Sequence, residues 1–350
     1  MARIVRIKVP APFLPGNTSC YFIPDTIPAL VDPGINTPEA LQSLRDGLKK
    51  CGVGISDIGR IILTHGHSDH AGAVGAVAAA GRAVVFVHCR DRYWTLLGAE
   101  ELSRENEGLF HDFFEKAGVP AEMAREKTGV FLSRLRKRFT PVAGMELLKG
   151  GEVFSFDHFR LKVFHTPGHS AGSICLFDET DRVLLAGDTL IRGHIPYIYT
   201  DLKSPAGLPQ YRGLEQYERS LDLLGALPVR LVLPGHGAPF AGHLEVIGRI
   251  KRNRARRRQR ILDILRADKR RRGPASGMTQ FEVANKLFPS AVIDGAIAIF
   301  MIISEVRSCL EMMEKEGLVA SAVKKGNQVY SLSSGHHPGD LTRDSVSNGG

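Results

Sequence analysis

Short apolar runs separated by polar turns fill most of the first 240 residues, and long charged or amphipathic stretches fill the remainder. Residues 3–9, 19–23 and 29–32 read as short strands, and Thr37 opens a helix over about 37–50 as its N-cap. A strand at 59–64 is followed by an Ala- and Gly-rich helix, 74–80, whose small side chains suit close packing on a sheet. Further strands are expected at 83–88, 152–156, 159–164, 173–177, 182–187 and 229–233, with a helix at 213–226.

Residues 90–140 break this rhythm. Aromatic and aliphatic residues such as Trp94, Phe110, Phe114, Phe131 and Leu135 recur there at helical spacing among charges, which predicts an inserted set of about three helices. That insertion is either a packing or dimer element or a cap over a substrate; its aromatic content would suit an apolar acyl or aryl group. From about 245 a basic helix runs to about 267 and a loop covers 270–277. Thr279 then caps a helix, 294–316 form a longer one, and 318–323 and 328–332 flank a turn as a hairpin. The polar residues 334–350, with His336 and His337, read as a disordered tail.

The densest chemistry sits just after the strand at 59–64. His65, His67, Asp69 and His70 fall within six residues. Two histidines two apart on extended backbone point the same way, and nitrogen and carboxylate donors this close suit zinc or a similar divalent ion. The construction repeats downstream. His169 follows a run ending at Phe164, Asp188 follows one ending at Gly187, and His236 follows Pro234-Gly235. Each time a buried run stops, a Gly or Pro allows a sharp turn, and a ligand-type residue stands at the edge.

This set, together with Asp32-Pro33-Gly34 after the apolar Ala29 to Val31, resembles the metallo-β-lactamase-fold hydrolase superfamily over about residues 1–245. The resemblance implies an α/β fold, a four-layer αββα sandwich carrying a helical insertion at about 90–140, with two metal sites at one edge. It implies His65, His67 and His169 at the first site, Asp69, His70 and His236 at the second, and Asp188 bridging. Two divalent ions are implied, zinc foremost, with manganese and iron open. A hydroxide shared between them would be a nucleophile at neutral pH, since such ions lower the pKa of water to about 7, and Asp69 and Asp188 would be the catalytic carboxylates. His67 is not a Glu, which argues against the flavo-diiron branch; Asp188 argues against antibiotic hydrolysis as the main task. The gap from Asp188 to His236 is too short for the domain inserted there in β-CASP nucleases. Persulfide dioxygenases share the motif with a single iron and remain a non-hydrolytic alternative. The order of elements in 246–333 resembles a small winged-helix domain, as in the β-lactamase-like protein 2 branch of single-strand endoribonucleases.

The chain has a formal net charge of +9, but thirteen Lys and Arg against two Asp lie within 249–272, so the rest is close to neutral. That segment could neutralise RNA phosphates. No aromatic interleaves it to stack on bases, and the helix around Ile297 to Ile303 looks buried rather than a groove reader. Five scattered cysteines without CxxC spacing fit a reducing compartment. The start lacks a secretory h-region and no stretch reaches membrane-spanning length, so a cytoplasmic protein without membrane contact is expected. The favoured activity is hydrolysis of a small ester, thioester or lactone; the alternative is a metal-dependent single-strand endoribonuclease using the same site. His194, Tyr197 and Tyr199, in the loop after Asp188, are candidate pocket residues, and a homodimer is left open.

Overall fold

The computed structural model describes residues 3–12, 16–95, 102–140, 142, 144–288, 295–324 and 326–333, so the tail reading for 334–350 lies outside the described residues. Two sheets form the centre. The first has the order β1 (Val5–Val9), β2 (Thr18–Ile23), β3 (Ala29–Val31), β4 (Arg60–Ile62), β5 (Val84–His88), β6 (Glu146–Leu148). It is antiparallel up to β3 and parallel from β3 to β6. The second comprises β7 (Val153–Ser155), β8 (Arg160–His165), β9 (Ile174–Asp178), β10 (Val183–Gly187) and β11 (Leu231–Pro234), paired in chain order.

Side-chain alternation along these strands creates the layers. Ala29, Val31 and Ile62 of the first sheet share one apolar cluster with Leu161, Val163, Val183 and Leu185 of the second, so these residues fill the space between the sheets. Leu30, Ile61, Leu184 and Ala186 point the other way and join the cluster that includes the outer helices. Burial on both faces is why these strands read as near-continuous apolar runs rather than alternating ones. On the outside lie α1 (Pro38–Lys50), α2 (Ser68–Ala71), α3 (Val74–Gly81) and, after the insertion, α7 (Gly213–Gly225). Thr37 caps α1 by accepting from Ala40 N–H at 3.2 Å. The result is the helix–sheet–sheet–helix sandwich expected from the sequence. Strand β6 was not foreseen; it is only three residues long, too short for alternation to show, and Glu146 and Leu147 are exposed.

The insertion consists of α4 (Arg92–Thr95), α5 (Leu102–Lys116) and α6 (Ala121–Arg136). The C-terminal region comprises α8 (His243–Arg272), β12 (Met278–Thr279), α9 (Gln280–Leu287), α10 (Ala296–Lys315), β13 (Val319–Lys324) and β14 (Asn327–Leu332), with a sheet order β12-β14-β13. Thr279 and Glu282 form a capping box on α9. Helix α8 extends five residues past its expected end. Arg272 makes a two-pronged pair with Asp268 one turn earlier, at 2.7 and 2.8 Å, which ties down the last turn. Phe300 of α10 inserts among Trp94, Phe110, Phe113 and Phe131 of the insertion, with ring centroids 5.0–6.1 Å apart. The C-terminal region therefore shares a core with the sandwich and its insertion. Among the described residues no helix is long and apolar enough to cross a membrane.

Candidate metal centre and pocket

The ends of β4, β10 and β11, and the turn after β8, meet at one edge of the sandwich, and each displays a ligand-type side chain. His65 and His67 lie between β4 and α2, Asp69 and His70 begin α2, His169 follows β8, Asp188 follows β10 and His236 follows β11. Donor atoms of His65, His67 and His169 lie within 4.8 Å of one another, and so do those of Asp69, His70 and His236. Asp188 stands between the two groups: its carboxylate is 3.6 Å from His169 Nε2 and 3.4 Å from both His70 Nε2 and His236 Nε2. The seven residues picked out in the sequence are thus brought together at one edge of the sandwich.

Hydrogen bonds behind the rings fix which nitrogen faces the centre. His70 Nδ1 donates to Asp32 at 2.9 Å, His169 Nδ1 to the Tyr197 carbonyl at 2.8 Å, and His236 Nδ1 to the Asn17 carbonyl at 3.1 Å. The Thr64 hydroxyl donates to Asp32 at 2.6 Å, so it accepts from His65 Nδ1 at 3.1 Å. Each of these four rings therefore turns its Nε2 inward, the arrangement that orients metal-binding histidines. His65 Nε2 is buried with no hydrogen-bond partner among the described residues. His67 Nδ1 lies 2.9 Å from His169 Nε2, and the second cluster shows 3.1 Å from His236 to Asp69 and 3.7 Å from His70 to Asp69. Two bonds of about 2.1 Å at a tetrahedral angle place donors about 3.4 Å apart, so the spacing fits a cation in each cluster.

Charge points the same way. Burial and the neighbouring imidazoles push His65 and His67 well down, and burial lowers His169, so this cluster offers neutral rings. Burial works against ionising Asp69 and Asp188, but the facing His70 and His236 outweigh it, bringing Asp69 to about 2 and Asp188 well below the usual range. Burial likewise opposes charging His70 and His236, yet Asp188 and Asp69 hold both up, His236 at about 10. Two carboxylates facing charged imidazoles form a site that takes up positive charge, and a metal ion entering it must displace protons.

Two carboxylates matter that spacing alone did not assign. Asp32 accepts from Thr64 N–H at 2.8 Å, from the Thr64 hydroxyl and from His70, so its oxygens are committed to support. Asp91 at the start of the insertion accepts from Gly66 N–H, the Ser170 hydroxyl and Gly172 N–H at 2.6–2.8 Å, tying the His65–His67 turn to the His169 turn. Burial raises its pKa to about 6 despite these bonds. Gly235 is required by proximity: a Cβ there would strike Asp188 and stand 2.7 Å from His70 Cε1. His165 stacks on His88 with ring centroids 3.9 Å apart and donates to the Ala171 carbonyl.

Above the clusters opens a cavity of about 500 Å³. Its floor is His67, Asp69, His169 and Asp188. Its walls are Trp94 of α4, Phe131 and Leu135 of α6, and Ile297, Phe300 and Met301 of α10. The insertion and the C-terminal region together roof the site, and the apolar first two turns of α10 line it. His194, Tyr197 and Tyr199 all line the cavity. Tyr199 lies across His67 with ring centroids 4.2 Å apart. Burial, then Asp69 and Asp188, push its pKa well up, so its phenol is protonated.

Residues 14–236 match the family model described as the metallo-beta-lactamase superfamily. The chain is similar to the probable metallo-hydrolase YqjP of Bacillus subtilis (strain 168), 29% identical over 330 residues that cover 93% of this chain and 97% of that protein. It is 29% identical over 171 residues to the atrochrysone carboxyl ACP thioesterase of Aspergillus fumigatus, covering 47% of this chain and 50% of that one. The crystal structure of the metallo-beta-lactamase family protein TTHA1429 from Thermus thermophilus superposes with a TM-score of 0.77 at 26% identity, covering 95% of this chain and 99% of that chain.

Proposed function

The chain belongs to the metallo-beta-lactamase superfamily, and from that premise we propose that it is a binuclear metal-dependent hydrolase of acyl esters, thioesters or lactones, thioesters foremost. The observation that carries this reading is a pair of donor clusters sharing Asp188 at the floor of a mostly apolar, roofed cavity. His65, His67 and His169 would hold one ion and Asp69, His70 and His236 the other, with Asp188 between them. When bound, such ions supply Lewis acidity toward a carbonyl oxygen and activate water at neutral pH. Their donor set of imidazole and carboxylate favours zinc, with manganese or iron as alternatives.

The chain's own groups do the remainder. Asp69 and Asp188 stay ionised and position the attacking water. Tyr199 keeps its proton and offers a hydrogen bond to a substrate oxygen above His67. His194 and Tyr197 shape the wall beside it. The aromatic roof excludes water and takes the acyl chain. Similarity to an acyl carrier protein thioesterase over half of that protein's length supports placing thioesters first.

The endoribonuclease reading rests on the winged-helix resemblance of 246–333 and on the basic segment 249–272, and several arginines of that segment are otherwise engaged. Arg254 and Arg257 pair with Glu305, Arg258 pairs with Glu316, and Arg249 bonds the Ile191 carbonyl. The deciding experiment offers metal-loaded protein p-nitrophenyl esters, acyl thioesters and lactones in parallel with fluorescent single-stranded RNA, before and after chelation and with Asp188→Ala. Ester or thioester turnover that falls about a hundredfold or more in the variant is expected. RNA cleavage lost in the variant, with esters untouched by the wild type, would overturn the reading.

A further inference from the structure

Resting on the hydrolase reading above, we propose that His194 is a further catalytic residue, one that hands a proton to the leaving oxygen, so that the centre cleaves oxygen esters and lactones as well as thioesters. His194 is half-buried and lines the cavity, as Asp188 and Tyr199 do. The segment that carries it is pinned from behind. Arg249 of α8 donates to the Ile191 carbonyl at 3.0 Å and to the His194 carbonyl at 3.5 Å, and the Arg192 guanidinium lies 5.5 Å from the centre of the Phe240 ring. The backbone of His194 is thereby held while its ring is left unengaged: among the described residues no hydrogen bond or ion pair reaches either ring nitrogen.

The two donors above the floor stand over different clusters. Tyr199 lies over the first, with ring centroids 4.2 Å from His67 and 5.3 Å from His169. His194 instead feels the charges of Asp188 and of His236 in the second, without bonding to either. A substrate carbonyl that takes Tyr199 as its donor therefore turns its leaving atom toward His194. Outside the candidate ligands, the titratable side chains lining the cavity are Arg134, Arg138, His194, Tyr197 and Tyr199. Guanidinium and phenol groups keep their protons near neutral pH, so the imidazole is the one that can pass a proton on. Burial lowers the pKa of His194, aided by His236 and Arg249 and opposed by Asp188, so the ring is neutral and one nitrogen is free to accept. After hydroxide has added to the acyl carbon, His194 accepts the proton of the new hydroxyl. It returns that proton to the leaving oxygen as the carbon–oxygen bond breaks and its electron pair passes to that oxygen. A carboxylate and an alcohol result, and no other reactant is consumed. A thiolate, whose conjugate acid has a pKa of about 8.5, departs without such help, whereas an alkoxide is nearer to hydroxide, whose conjugate acid has a pKa of about 15.7.

Leaving-group dependence tests this on metal-loaded, full-length protein. Ethyl, trifluoroethyl and p-nitrophenyl hexanoate and the hexanoyl thioester of mercaptoethanol share one acyl group and differ in the basicity of the departing atom. In His194→Ala, kcat for the ethyl ester is expected to fall about a hundredfold or more, the usual worth of a side chain that transfers a proton. The loss shrinks stepwise through the trifluoroethyl and p-nitrophenyl esters and is smallest for the thioester. Added imidazole restores turnover of the ethyl ester by His194→Ala. His194→Gln, which donates a hydrogen bond but cannot pass on a proton, stays slow on that ester. Competition with a chromogenic chelator shows the metal retained in both variants. Equal losses across the four substrates, a rise in KM alone, a deficit that follows loss of metal, or no change overturns the role of His194. A wild type that cleaves the thioester but neither alkyl ester removes the role and leaves the hydrolase. A wild type that turns over none of the four removes both.

Discussion

At the scale of single residues, Asp32 shows how the centre is supported. Its backbone φ is 56°, a left-handed value that residues other than glycine rarely adopt. Thr64 and His70 pin the side chain from both sides, and such local cost persists where the surroundings overdetermine it. Asp32→Ala removes the acceptor that fixes the His70 tautomer. Affinity at the second metal site should fall about 10- to 100-fold, the usual effect of losing such a partner, with a smaller loss at the first site, where the Thr64 hydroxyl loses the acceptor that turns it toward His65. Competition with a chromogenic chelator measures both, and unchanged affinity would count against the role. The seven candidate ligands could be picked out because each stands within a few residues of the end of an apolar run. Asp32 was legible only as part of a motif, its task hidden until the fold set it behind His70. Asp91 gave no signal at all, since its partners Gly66, Ser170 and Gly172 are brought to it by tertiary structure.

At the scale of elements, α8 is the instructive case. Its run of arginines reads along the sequence as a charged face, yet Arg254 is 1% exposed. Arg254 pairs with the fully buried Glu305 of α10 and bonds the Pro196 carbonyl, and Glu305 also accepts from Ile198 N–H at 3.0 Å. Two helices thus grip the loop whose Tyr197 carbonyl orients His169. No periodicity could reveal this, because the partner lies 51 residues away. Glu305→Gln leaves Arg254, which is buried, and Arg257, which is half-buried, without their counter-charge, and breaking a buried pair costs about 3–5 kcal/mol. Urea unfolding should show that loss, and metal retention at the first site should fall with it. Replacing Arg254 and Glu305 together by Leu should recover part of the stability, because the more deeply buried of the two uncompensated charges is gone. A double variant as unstable as the sum of the single ones would contradict the account.

At the scale of the molecule, Phe300 joins three regions. It packs against Trp94, Phe110 and Phe131 of the insertion and lies 5.9 Å from the Tyr199 ring beside the ligands. Phe300→Ala should cost about 3–5 kcal/mol as a buried aromatic lost from a core. It should also raise KM for long-chain acyl esters more than for acetyl esters, since α10 loses its hold on the roof; equal effects on both would place Phe300 outside substrate binding. The sandwich was readable from the sequence because strand and helix periods are local. The roof was not, because an apolar helix face says only that something covers it.

That roof divides the chain's inheritance. The superfamily is recognised across residues 14–236, where the candidate ligands lie, whereas Ile297, Phe300 and Met301, which bound the cavity, come after it. Two proteins can therefore agree at every ligand and still receive different molecules. A substrate borrowed from a cousin alike only in the shared stretch would be borrowed from the part of the chain that performs the reaction, not from the part that helps choose what enters it.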